Sequence, residues 1–282
     1  MSIKLMIDSA SDINKQEAEK MGVLFMPIEV RFGEEDFLDG INLTPNEFFK
    51  KLEKSTELPK TSLINTFRWD EAFKEATADG SELIVISISS KLSGGCEAAK
   101  EVAKNYEGKV FVVDSLSATI GERLLLQYAQ KLVSNGFSAK EIAAKLNLAK
   151  GKIKITAMVD TLKYLKMGGR ISATTAFVGG ILSIKPIVAV VDGEVKNVAK
   201  AMGVKKAFTQ IKSIVEKEGE IDFDMPCGLI GSGNSMELIN NFKESNSNIW
   251  KNNLNNINMY EIGCTIGTHV GPGAVGIAYF VK

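Results

Sequence analysis

The chain has 282 residues, of which 45 % are hydrophobic, 24 % charged and 7 % aromatic. These are ordinary globular proportions, and they exclude a largely disordered, collagen-like or coiled-coil chain. Lys+Arg and Asp+Glu each number 34, so the formal net charge is zero and no whole-molecule field favours nucleic acid or anionic lipid.

This length admits one large or two ordinary domains. Folding at this size buries roughly three quarters of the unfolded surface, so the core needs neither metal nor disulfide. Cys96, Cys227 and Cys264 are the only cysteines and form no C-x-x-C pair. That spacing suits buried thiols in a reducing compartment, not a disulfide framework or a zinc site. The apolar stretch at 1–7 is interrupted by Lys4 and is too short for a secretory signal. The longest weakly polar stretch, 176–191, holds Lys185 and Pro186 and falls short of the roughly 20 residues that span a bilayer. The expectation is a cytoplasmic protein with no membrane insertion, no metal and no nucleic-acid partner.

In chain order, 3–8 reads as a strand that ends in the polar run Asp8-Ser9-Ala10-Ser11-Asp12. A helical pattern reaches Met21, with Gly22 as its stop. Residues 23–32 read as one strand, and 33–40 as a turn with a return strand. Pro45 opens an amphipathic helix that ends near Lys54. Residues 59–65 read as a loop, and Thr66 as the cap of a helix to about Ala78. Strands follow at 83–89 and 110–114, with helices at 96–106, 118–134 and 138–149. Short apolar strands alternating with helices predict a parallel sheet covered by helices.

Beyond Gly151 the pattern changes. A strand at 152–159 leads to one or two helical turns at 160–166, closed by Gly168-Gly169. Residues 173–182 are mostly small and apolar. Asp192-Gly193 joins two strands as a tight hairpin, because this pair supplies the positive φ angles. Helices are expected at 203–218 and 235–244, and strands at 225–231, 257–262 and 274–281. The asparagine-rich stretch 240–258 reads as a solvated face or loop. The fold class is therefore α/β with two domains. The N-terminal domain, 1–151, is Rossmann-like with a parallel sheet, and the C-terminal domain, 152–282, has a mixed or antiparallel sheet.

Small hydroxyls stand at three strand ends: Ser9 and Ser11, Ser90 and Ser93, and Ser115. Ligands of open parallel sheets bind beyond such ends. Ser93-Gly94-Gly95 precedes a helix, where N–H groups and the helix dipole favour an anion; the same serine also serves as a plain helix cap. Thr61-Ser62 is a second hydroxyl pair. The only histidine, His269, lies in 263–276, where five glycines mark tight backbone that reads as neither helix nor ordinary strand. Gly271-Pro272-Gly273-Ala274-Val275-Gly276 matches a dinucleotide fingerprint, but no helix and no acidic residue follow at the required distance. Ser93 lacks a G-x-S-x-G elbow, since Lys91 replaces the first glycine. Lys163, Lys166 and Arg170 form one basic cluster, and an arginine just past the glycine stop can reach a phosphate or a carboxylate.

Together these stretches resemble the DegV family of bacterial fatty-acid-binding proteins. The resemblance covers nearly the whole chain. It includes Asp8-Ser9 with Asp12, Thr61-Ser62, Leu92-Ser93-Gly94, Asp114-Ser115, Leu165-Lys166 with Gly168-Gly169-Arg170-Ile171, Ile184-Lys185-Pro186-Ile187 with Asp192-Gly193, and 266–274. It implies one long-chain fatty acid in a tunnel between two domains. It also implies a lipid-binding protein that is no enzyme by itself and whose only small molecule is that acid. Some members carry the acyl group for a separate ATP-dependent fatty acid kinase, which makes acyl phosphate for phospholipid synthesis. By motif, Thr61, Ser62, Ser93 and Gly94 would hold the carboxylate, with Thr268 and His269 beside it, and Arg170 would face the kinase. The family's second arginine after the hairpin is Met202 here, which bears on the kinase partner and not on the lipid. A competing expectation is a substrate subunit for a small carbonyl compound, similar to that of dihydroxyacetone kinase and using His269. A third is a regulatory interaction module.

Overall fold

The computed structural model describes residues 2–171, 183–233 and 235–282; the small apolar stretch at 173–182 lies outside the described residues. Four strands form a wholly parallel sheet in the order β2-β1-β6-β7. They are β1 (Ile3–Asp8), β2 (Leu24–Met26), β6 (Glu82–Ser87) and β7 (Val110–Asp114), and between β2 and β6 come β3 (Glu29–Phe32), β4 (Glu35–Leu38) and β5 (Lys60–Ser62). Leu83, Ile84, Val85 and Ile86 are all fully buried, as a parallel sheet covered on both faces requires. The covering helices are α1 (Lys15–Lys20), α2 (Pro45–Lys54), α3 (Thr66–Thr77), α4 (Gly95–Ala103), α5 (Ile120–Ser134) and α6 (Ala139–Ala149). Local chemistry starts several of them. Thr44 with Glu47, and Ser138 with Glu141, form capping boxes on α2 and α6, and Pro45 occupies the first turn of α2.

The second sheet takes all six of its strands from beyond residue 151. Its order is β10-β9-β8-β13-β11-β12, built from β8 (Ile153–Met158), β9 (Ile184–Val191), β10 (Glu194–Met202), β11 (Gly228–Gly231), β12 (Asn258–Glu261) and β13 (Val275–Phe280). Only β11 and β12 run parallel, so the sheet is mixed. Asp192 and Gly193 take φ of 52° and 83° at the hairpin, as expected for Asp-Gly. Helix α7 (Lys163–Met167) follows β8, while α8 (Val204–Glu218) and α9 (Met236–Ser245) cover one face. That face buries Phe208, Phe242, Ile277 and Tyr279 in a core of its own. The opposite face presents Ile155, Val188, Ile230 and Ala278 to the core that runs through the parallel sheet.

Four expectations are corrected. Residues 23–32 are two strands in two sheets, because Pro27 offers no N–H to continue a ladder. Residues 60–62 are not loop but β5, the edge of a three-stranded antiparallel sheet, β4-β3-β5, whose pairing with β3 no local pattern announces. Asn65, not Thr66, caps α3, its Oδ1 accepting from the Arg68 N–H at 3.0 Å. Residues 264–270 are helix α10 (Cys264–Val270), despite the glycines.

The asparagine-rich stretch is likewise more than solvated loop. It continues from α9 into a run of 3-10 turns, Ser247–Asn256, that carries Trp250 into the second core. Trp250 is 1 % exposed, lies against Phe242, and donates its indole N–H to the Lys243 carbonyl at 2.8 Å. Trp250→Ala is therefore expected to cost about 3–5 kcal/mol. Urea unfolding checks this: the midpoint falls while the slope is unchanged.

Candidate functional site

Between the carboxyl ends of the parallel strands and the inner face of the mixed sheet lies a cavity of about 230 Å³. Its walls are mostly apolar. Ile88 and Ala118 contribute from the first sheet's side; Ile155, Ala157, Val188 and Val190 contribute from the second. Alternation along β8 explains the wall, since Thr156 and Met158 point to the other face. The polar lining is Thr61, Ser62, Ser93, Gly94, Arg170 and His269, with Thr119 and Thr265.

Short contacts gather most of these groups. Thr61 Oγ1 and His269 Nε2 are 3.1 Å apart. His269 Nδ1 is buried and has no partner among the described residues. Gly168 sits against it, where a Cβ would lie 2.3 Å from Nδ1. Arg170 donates from Nη1 to the Gly168 carbonyl at 2.5 Å and from Nε to the Leu92 carbonyl at 3.1 Å. It thus bridges the turn after α7 to the loop carrying Ser93. Burial, and then the Arg170 charge, push the His269 imidazole down to about 4, so the ring is neutral near pH 7, with one nitrogen to donate and one to accept.

Ser93 Oγ accepts the Gly95 N–H at 3.2 Å, although Gly94 occupies the cap position of α4. Its own O–H has no acceptor among the described residues and remains available to a ligand. The other strand-end hydroxyls do not line the cavity. Ser9 Oγ accepts from the Ile28 N–H, Ser11 Oγ donates to the Asp8 carbonyl, and Ser115 Oγ donates to the Ser117 carbonyl. They hold strand ends together. Thr268 also turns away, its hydroxyl donating to the Cys264 carbonyl at 2.9 Å. Thr265 takes the place facing the cavity, one helical turn before His269. Helical spacing would have singled out Thr265 had 264–270 been read as a helix.

Helix α10 is seated from outside itself. Gly263 caps it without a side chain. The Gly263 N–H donates to Asp12 Oδ1 at 2.7 Å; the Cys264 and Thr265 N–H groups donate to Asp39 Oδ1 and Oδ2 at 3.0 and 2.9 Å. The second Asp12 oxygen accepts the Thr119 hydroxyl. Burial pushes Asp12 up to about 7 and Asp8 up to about 6. Gly267 faces α2, where a Cβ would lie 2.7 Å from Phe48 Cε1, so only glycine lets the two helices approach this closely.

Among the described residues, metal chemistry has little footing. The donor atoms of Cys96, Glu97 and Asp114 lie within 4.8 Å of one another, but the Lys100 ammonium already stands 2.7 Å from Glu97. Burial pushes the Cys96 thiol up to about 12, away from the thiolate a metal requires. No helix among the described residues is long and apolar enough to cross a membrane.

The depressed imidazole makes a pH test. Its folded value near 4 lies below the ordinary 6.5, so between those values the unfolded chain binds the proton more readily. The stability held by the neutral ring is present above pH 6.5 and is lost as pH falls through the window to about 4. Urea unfolding across that range is expected to show wild type losing stability relative to His269→Gln.

The fold agrees with comparisons to known proteins. Residues 2–282 match the model of the DegV family, a family described as uncharacterised. A DegV domain-containing protein of Clostridium acetobutylicum is 32 % identical over 284 residues, covering 99 % of each chain. A fatty-acid-binding DegV family protein of Thermus thermophilus superposes with a TM-score of 0.88 at 28 % identity, covering 100 % of both chains. DegV of Bacillus subtilis, a fatty acid binding protein, gives 0.84 at 27 % identity, again over 100 % of both. With matches that run the length of the chain in sequence and in fold, this protein belongs to the DegV family.

Proposed function

We propose that the cavity holds one long-chain fatty acid, its tail along the apolar walls and its carboxylate among Thr61, Ser62, Ser93, Gly94 and His269. The observation that carries this reading is an apolar cavity whose hydroxyls and imidazole converge beside one arginine. The fatty-acid-binding relatives of similar fold support it. Tail burial dominates the energetics: about fourteen methylenes at ~0.8 kcal/mol each give a gross ~11 kcal/mol. Each charge-assisted hydrogen bond to the head contributes about 1.5–3 kcal/mol. Association and ordering reduce the net figure. The hydroxyls and imidazole set the direction in which the acid lies, and Arg170 supplies the counter-charge. A small polar carbonyl compound suits this apolar lining poorly.

In this reading the chain is a carrier, not an enzyme by itself. Residues 1–151 and 152–282 are the two domains that close on the acid. A carboxylate held at the polar end can be offered to a separate ATP-dependent kinase, with Arg170 at the face of exchange, to give an acyl phosphate for phospholipid synthesis in the cytoplasm. Met202, 54 % exposed on β10, stands where the family pattern has a cation, which weighs against the kinase part of this reading and leaves the lipid part untouched.

Native mass spectrometry of freshly purified protein, followed by lipid extraction, is expected to show a stoichiometric adduct of fatty-acid mass. A bare chain that also refuses added long-chain acid overturns the reading. Ser93→Ala is expected to weaken retention of the acid roughly tenfold, the loss of one charge-assisted hydrogen bond, with the thermal midpoint of the ligand-free protein nearly unchanged. Equal loss of stability and of binding would make Ser93 structural.

A further inference from the structure

We propose that Asp39 is a positioning residue for His269, acting through the N-terminus of α10, and that this cap completes a head-group site divided between the two halves of the chain. The proposal rests on the fatty-acid reading for its ligand, but its geometry stands apart from it.

A seven-residue helix has too few internal hydrogen bonds to persist alone. Its first N–H groups need acceptors, and Gly263 supplies none from a side chain. Both oxygens of Asp39, a residue 2 % exposed just beyond β4, accept from the Cys264 and Thr265 N–H groups. At the other end of the helix His269 meets Thr61 on β5. Strands β4 and β5 belong to one three-stranded sheet, paired through β3. One sheet therefore pins both ends of α10, the first by a carboxylate and the last by a hydroxyl.

His269 lies about 7.5 Å along the axis from Cys264, so a tilt of about 10° at the capped end moves the imidazole by roughly 1 Å. That displacement is enough to break the contact with Thr61. Asparagine does not replace the aspartate. It keeps one acceptor and turns an NH₂ toward the other N–H. The remaining acceptor at this helix end, Asp12, reaches only Gly263. The charged group that faces the imidazole itself is Arg170, on the turn after α7.

The single histidine gives an unambiguous reporter by NMR of the imidazole in ligand-free protein. Wild type is expected to keep one set of neutral-ring resonances from pH 7 to 5. In Asp39→Asn the ring is expected to titrate in that range, with exchange-averaged nitrogen shifts. Affinity for stearate is expected to fall at least tenfold, and that for octadecanol less than threefold. Phe242→Leu, in the second core, serves as a control that loses stability and leaves the imidazole unchanged. Should Asp39→Asn fail to fold, Asp12→Asn reads the same coupling through the Gly263 N–H. Wild-type imidazole signals and an unchanged stearate-to-octadecanol ratio in the folded variant overturn the proposal. If wild type itself binds no stearate, the fatty-acid reading fails while the imidazole arm still decides the positioning role.

Discussion

Two buried carboxylates at the start of a short helix hold this molecule's site together. Asp39 and Asp12 receive the first three N–H groups of 263–265, far along the chain from either aspartate. Their carboxyl oxygens meet the positive end of the helix dipole and satisfy N–H groups that water does not reach. The histidine of the cavity's polar end is carried by the helix so seated. Thr265, Ile266, His269 and Val270 face the cavity only because 264–270 is helical and lies against β3, β5 and α2.

The cavity divides its chemistry cleanly. Its walls come from the inner face of the mixed sheet and from strand ends of the parallel one, and are almost wholly aliphatic. Its polar end holds an imidazole that burial keeps neutral and an arginine tied to two backbone carbonyls. A neutral ring and hydroxyls can bind a carboxylate without adding a second buried charge. The guanidinium, half-buried and held by those carbonyls, is the positive charge beside that end. Nearby, the raised pKa values of Asp8 and Asp12 have a different origin. They report desolvation beneath the strand ends, where these carboxylates accept backbone and hydroxyl hydrogen bonds.

Local sequence chemistry was readable wherever the partners are close along the chain. The parallel sheet of β1, β6 and β7, the capping boxes of α2 and α6, and the Asp192-Gly193 hairpin all rest on contacts within a few residues or on strong apolar runs. Thr61, Ser93, Arg170 and His269 were likewise visible as residue types in suggestive places, and the fold brings them around one cavity. Thr268 was visible too, but its hydroxyl is spent on its own helix.

What the sequence alone determined is the α/β class, the parallel and mixed sheets, and the residue types of the polar end. Tertiary structure decided the rest, because the deciding partners are remote. Residues 264–270 are helical because Asp39, some two hundred positions earlier, accepts their N–H groups. Residues 60–62 are a strand because β3 pairs with them. Trp250 is core because Phe242 and the mixed sheet receive it. Glycines and asparagines carry weak local preferences, so at these places the burial and hydrogen bonding supplied by distant segments set the conformation.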